Sequence, residues 1–247
     1  MRTELPHFVV RDCVYSPGAR LPRHAHDYAN VTVVVGGEIH ETAETGEHRG
    51  QPFSVVLKPA GCEHENRVGR DGARTLVIEM RGDAGGRWAW FEEPSVVRAA
   101  IALVRSRAAE LEARAFALLA EVLPGRDAAK PSPPWLRDVT AMLDARFDQP
   151  LRFDALARQL GLHPVYLSRA FQRYTGRTMQ AYVRALRLRH ARHLLSASSR
   201  SITAIAADAG FADSSHLCRT FTELLELTPS AYRGLARSSG AGATGRN

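Results

Sequence analysis

Two stretches about fifty residues apart carry the same pattern, and that repetition restricts the fold of this 247-residue chain more than any other feature. In the first, Phe153, Leu156, Ala157 and Leu160 fall at i, i+3, i+4 and i+7, one face of a short helix. Gly161 can take the left-handed conformation that ends it. Pro164 then suits a first helical position, Leu167, Ala170, Phe171 and Tyr174 repeat the stripe, and Gly176 closes it. In the second, Ile202, Ile205, Ala206 and Ala209 lead to Gly210. Asp213 follows as an N-cap, then the stripe Leu217, Thr220, Phe221 and Leu224. Between the copies, Met179–Ser196 holds no Gly or Pro and reads as a long connecting helix, with Met179, Tyr182, Leu186, Leu194 and Leu195 near one stripe. The pattern predicts helix, tight turn, helix, twice over.

With the stripes buried, the second helix of the first copy turns Val165, Ser168, Arg169 and Gln172 outward. That of the second turns out Ser214, Ser215, His216 and Arg219. Hydrogen-bonding and cationic residues with one apolar member make the mixture that reads base edges in a major groove. Arg grips guanine in bidentate fashion, and Val165 can meet a thymine methyl. Taken singly, each of these is an ordinary solvated residue; the recurrence of Arg169 as Arg219 argues otherwise. Charge points the same way. Residues 1–134 hold 17 Lys and Arg against 18 Asp and Glu, whereas residues 135–247 hold 16 Arg against 8 acids. A neutral half beside a basic one calls for a polyanionic partner, double-stranded DNA before an anionic membrane surface.

These residues resemble the AraC/XylS transcription regulators. The resemblance covers about Trp135 to Arg237. It runs through Leu156-Ala157, Leu167-Ser168-Arg169-x-Phe171, Gly176, Tyr182 and Arg187-Leu188-x-x-Ala191-x-x-Leu194-Leu195. It continues through Ile202-x-x-Ile205-Ala206-x-x-x-Gly210-Phe211-x-Asp213, Arg219-x-Phe221 and Thr228-Pro229-x-x-Tyr232-Arg233. It implies two helix-turn-helix subdomains on a linking helix, reading successive major grooves. Two positions depart from the family: His163 stands where a Ser cap is common, and Glu226 where Gly usually follows the second recognition helix.

The other half reads differently. Val31–Val35, Ser54–Leu57 and Thr75–Met80 are β-rich, punctuated by Gly36-Gly37, Gly46 and Asp71-Gly72, which predicts a small antiparallel barrel or sandwich. Residues 95–123 turn helical, and Leu103, Leu111, Leu118 and Leu119 would supply a homodimer seam or pack on the chain's own barrel. His24-x-His26, followed by Pro59-x-Gly61-x-x-His64, resembles the two motifs of the cupin barrel. The resemblance implies a divalent transition metal on His24, His26 and His64, with Asn30 in the acid's place and Val68 for a typical Asn. Three imidazoles suit Zn, Fe, Ni or Cu, and His at i and i+2 of a strand share a face. The alternative is that the histidines are polar lining for an organic effector. Cys62, two residues from His64, is a candidate fourth ligand or redox-sensitive thiol.

The expected fold class is α+β multidomain. A cupin-like antiparallel β-barrel sensor covers 1–90, a helical connector 91–130, an all-α double helix-turn-helix domain of seven helices 131–237, and a disordered tail 238–247. Lys130-Pro131-Ser132-Pro133-Pro134 reads as the linker. Cys13, Cys62 and Cys218 form no disulfide or metal spacing, and Met1-Arg2-Thr3-Glu4 opens no signal region, so a cytoplasmic site is expected. The function expected is a one-component regulator that activates transcription. Its partners are DNA, a small-molecule or metal effector, a second copy of itself and RNA polymerase, with no membrane. The rival reading is a cupin-type metalloenzyme fused to a DNA-binding domain. It is disfavoured because Asn30 replaces the acid and no acid/base set lies nearby.

Overall fold

The computed structural model describes residues 2–44, 46–80, 87–123 and 133–241, the last four by backbone alone. Two compact units emerge: Met1–Gly125 with Thr222–Asn247, and Arg126–Phe221.

In the first unit, β1 (Arg2–Glu4), β2 (Phe8–Tyr15), β3 (Arg20–His24), β4 (Asn30–Ala43), β5 (Gly46–Gly50), β6 (Val55–Lys58), β7 (His64–Met80) and β8 (Ala89–Phe91) form one antiparallel sheet. Its order is β1-β2-β7-β4-β6-β8, with β3 added to β7 and β5 to β4. The path ends at β1 and β8, so the expected closed barrel is instead an open sheet. The long strands β4 and β7 carry it, and register shifts at Val34/Gly36 and Gly37/Ile39 bend β4 so that one strand serves several neighbours. Strand alternation splits β4 into two faces. Val31, Val33 and Val35 are buried on one, while Asn30, Thr32 and Val34 line a cavity on the other.

The segment expected to be helical over 95–123 breaks at Arg105–Arg107 into α1 (Pro94–Val104) and α2 (Leu111–Val122), joined by a short 3₁₀ turn. Leu103, Leu118 and Leu119 are buried within the protomer, which removes them from an exposed dimer seam. Their burial in the chain's own core satisfies the apolar stripe that a partner would otherwise cover.

The helical half is α3 (Pro134–Ala145), α4 (Phe153–Gln159), α5 (Pro164–Thr175), α6 (Met179–Ala197), α7 (Ile202–Asp208), α8 (Ser214–Leu225) and α9 (Pro229–Ala241). Linker residues 130–132 and tail residues 242–247 lie outside the described residues. Helix α9 continues through Ala241, past the point where the sequence reads as tail. Each added residue of an existing helix gains a backbone hydrogen bond without a new nucleus. In the second unit, Leu143, Leu156, Leu167, Phe171, Met179 and Leu186 form one core, so the stripes of α4, α5 and α6 meet as the periodicity predicts. In the first unit α9 packs on the sheet: Tyr232 is fully buried, sets its ring 5.4 Å from Phe53 and donates its hydroxyl to the Pro52 carbonyl at 2.9 Å.

Candidate nucleic-acid interface and a buried polar cavity

Helices α4 and α7 end alike. Leu162 N–H reaches the Ala157 carbonyl and Gly161 N–H the Arg158 carbonyl, at 2.9 and 3.1 Å. Phe211 and Gly210 make the same two bonds to Ala206 and Ala207, again at 2.9 and 3.1 Å. This six-to-one and five-to-two pair satisfies the last carbonyls and needs a left-handed residue. Gly161 and Gly210 supply it at φ +66° and +76°. The following helices start on side-chain caps. Asp213 accepts from the His216 N–H at 2.7 Å, and His163, the departure from a Ser cap, accepts from the Val165 N–H through Nδ1 at 3.3 Å. Glu226 meets the other departure by adopting φ +56°, the left-handed conformation Gly would take freely, and its carboxylate lies 3.6 Å from Arg98.

The turns aim α5 and α8 outward. Val165, Ser168, Arg169 and Gln172 are exposed on α5. On α8, Ser215 and Arg219 are exposed, while Ser214 and His216 are half-buried and the His216 ring stands edge-on to Phe211 at 5.2 Å. Tyr174, expected in the α5 stripe, is instead exposed, its ring 6.4 Å from Trp135. With Tyr166 and Arg173 it widens the α5 face into an open groove of about 600 Å³ that also takes in Val165 and Arg169. Stripe counting missed these residues because it assigned α5 one buried face and four outward positions. Tyr166 at i−3 and Arg173 at i+4 flank Arg169 on the same helix surface.

The β-domain holds the second candidate. His24, His26 and His64 place one ring nitrogen each within 4.8 Å of one another. Strand pairing sets two of them, since His24 on β3 is the register partner of His64 on β7. The His24 Nδ1 lies 2.8 Å from the Pro22 carbonyl and the His64 Nδ1 3.0 Å from the Cys62 carbonyl. A carbonyl only accepts, so each Nδ1 carries the proton and each Nε2 keeps its lone pair, the tautomer in which an imidazole binds metal through Nε2. Burial, with Lys58 nearby, pushes the His64 pKa down to about 4, and burial lowers that of His26 too. The donor set therefore fits a divalent transition metal. Cys62 is not among the clustered ligands, and burial pushes its thiol up, away from the thiolate a ligand needs.

Deeper in the same cavity, of about 200 Å³, lies a polar cluster the sequence reading missed. Glu41, 1% exposed, accepts from Trp88 Nε1 at 2.5 Å and Asn66 Nδ2 at 3.1 Å, and pairs with Lys58 Nζ at 2.9 Å. Burial alone would raise the Glu41 carboxyl; Lys58 and the donated hydrogen bonds outweigh it and hold the carboxyl below its usual range. Two signals were present. Glu41 continues the inward parity of Ile39 and Ala43 along β4, and Lys58 is one of two lysines in a chain that otherwise uses arginine. A lysine there supplies a compact ammonium to the Glu41 carboxylate.

Known proteins agree with the helical half. A family model described as a helix-turn-helix domain matches residues 156–234. The regulatory protein SoxS of Escherichia coli is 36% identical over 98 residues, 40% of this chain and 92% of SoxS. The transcriptional activator RhaS of Salmonella schwarzengrund is 37% identical over 98 residues, 40% of this chain and 35% of its own. PocR of Salmonella typhimurium is 37% identical over 91 residues, and the match spans 30% of that protein. Among solved structures, an AraC-type regulator from Chromobacterium violaceum has a TM-score of 0.39 at 32% identity, over 41% of this chain and 90% of that one. ToxT of Vibrio cholerae has a TM-score of 0.41 at 11% identity over 92% of this chain and 98% of its own. A basic helical domain of this repeat defines a DNA-binding transcription regulator. The chain belongs to the AraC/XylS family. No described helix is long and apolar enough to cross a membrane.

Proposed function

We propose that this protein is a one-component transcription regulator that reads DNA with α5 and α8 and senses an effector in the β-domain cavity. The observation that carries the reading is the pair Arg169 and Arg219: each is exposed, and each stands at the same position of its helix counted from the capping residue, His163 or Asp213. Two helix-turn-helix units then contact successive major grooves. Arg169, Arg219, Gln172 and His216 meet base edges, Ser168, Ser214 and Ser215 bases or phosphates, and Val165 a thymine methyl. A bound divalent metal would be held by His24, His26 and His64 and would supply a Lewis-acidic centre for an effector's oxygen. The nearby Glu41 carboxylate is held by Lys58, Trp88 and Asn66, which favours sensing over turnover. Activation through RNA polymerase and homodimerisation complete the reading, with the exposed Phe116 of α2 on the face a second copy would use.

The test is competitive binding of the full chain to a selected site against scrambled DNA. Arg169→Ala and Arg219→Ala should each cost roughly 1–3 kcal/mol on the selected site and much less on scrambled DNA. Equal losses on both would confine the two arginines to phosphates.

A further inference from the structure

Several buried polar groups that line the cavity lack a hydrogen-bond partner. Asn30 is 1% exposed, and its Oδ1 accepts from Thr32 Oγ1 at 3.1 Å, yet its Nδ2 has no partner. Asn66 is 8% exposed; its Nδ2 must face the Glu41 carboxylate, which only accepts, so Oδ1 points elsewhere and is unpartnered. The Lys58 ammonium, 5% exposed, has three donors and pairs with Glu41. Asn30 and Lys58 are register partners across β4 and β6, so their side chains rise from the same face of the sheet as neighbours. All of these groups line the one cavity.

A buried donor left without an acceptor costs on the order of 1–3 kcal/mol, so open groups of this kind mark a place for a partner. Here two of the donors, Asn30 Nδ2 and the Lys58 ammonium, rise as neighbours from paired strands. That is the complement of an oxyanion, and a carboxylate takes several N–H donors at once. The formal charges of the lining balance, Arg11 against Glu79 and Lys58 against Glu41. An incoming carboxylate therefore shares Lys58 rather than replacing Glu41. Val34, Val56 and Val77 add apolar wall, and Trp90 adds a further buried N–H without a partner. Benzene fits a cavity of about 150 Å³, so about 200 Å³ admits roughly eight to ten non-hydrogen atoms.

We infer that the cavity binds a small hydroxy-carboxylate, with Lys58 Nζ and Asn30 Nδ2 on the carboxylate and Asn66 Oδ1 accepting from the hydroxyl. The inference rests on the sensing reading only for its consequence on DNA; binding itself follows from the cavity.

Lactate and salicylate, with lactamide and salicylamide as uncharged controls, test it on the full chain by calorimetry and by the thermal transition of the protein. At least one carboxylate should bind and raise the transition, its amide at least tenfold more weakly. The double variant Lys58→Met/Glu41→Gln removes both charges together, so neither is stranded, and should lose at least tenfold in carboxylate affinity. Asn30→Asp keeps the shape, turns the donor into an acceptor, and should lose at least as much if the double variant does not fold. Equal binding of acid and amide overturns the inference, as does undiminished binding by these variants or no shift with either acid. Operator affinity is measured in the same samples. A carboxylate that binds without moving it supports the site and removes the sensing reading; an operator affinity moved by another ligand, with neither acid bound, does the reverse.

Discussion

Gly161 and Gly210 close equivalent turns with equivalent bonds, yet their substitution should not cost the same. Both sit at positive φ, where an L side chain pays roughly 1–2 kcal/mol. Alanine recovers about 0.4–1 kcal/mol by restricting the unfolded chain. At Gly161 nothing lies within 4 Å of an added Cβ, so Gly161→Ala should destabilise by about 1 kcal/mol. At Gly210 the same Cβ would lie 2.5 Å from the Asp148 carbonyl oxygen and 2.7 Å from its Cα, against backbone rather than a side chain that could swing away. Overpacking of this kind adds about 1–3 kcal/mol, bringing Gly210→Ala to roughly 2–4 kcal/mol. Urea denaturation of each variant, with the m-value checked for constancy, measures the difference. Equal midpoints for the two variants would refute the close approach of the loop after α3 to the second turn.

Three further outcomes follow from single contacts. Glu226→Gly should stabilise the protein by about 0.5 kcal/mol, the relieved left-handed strain less the added unfolded-chain entropy, and a destabilised variant would show that the ion pair with Arg98 outweighs the strain. Arg74 holds the Asp12 carboxyl below its usual range, so this contribution to stability is present at neutral pH and fades as pH falls below about 4. Asp12→Asn should therefore lie below wild type in thermal stability at pH 7 and converge on it in acid; a gap that widens in acid contradicts the sign. Zinc or nickel added at about a hundred times its dissociation constant should stabilise the wild-type β-domain by about 2.7 kcal/mol. His24→Ala/His26→Ala should show no such gain, and an equal gain would place the metal elsewhere.

The helical half was legible because its information is local. A stripe of period 3.6 with a left-handed Gly after it fixes each helix end within about ten residues, and Leu156, Leu167, Phe171, Leu217 and Phe221 are buried as that period requires. Glu226 shows the limit of residue identity: a glutamate holds the conformation expected of Gly, because the flanking helices determine it. In the β-domain the histidine spacing brought His24, His26 and His64 together as read, but the meeting of Glu41, Lys58 and Asn66 in one cluster was not legible. They meet only through the pairing of β4 with β6 and β7, contacts between residues far apart in the chain. Barrel closure was misjudged for the same reason, since strand composition says nothing of whether the last strand returns to the first. The α1–α2 break at Arg105–Arg107 went unread because arginine and serine are compatible with helix, and burial of both apolar stripes decided against it.

Affinity for a spaced site tests the central claim most directly. A site selected by the full chain from random DNA should contain two specified segments about 10 base pairs apart, one for α5 and one for α8. Inserting about five base pairs between the segments turns one of them to the opposite side of the duplex. The account predicts that the inserted site binds no more tightly than a site with one segment scrambled. Undiminished affinity for the inserted site would contradict reading by two coupled helix-turn-helix units.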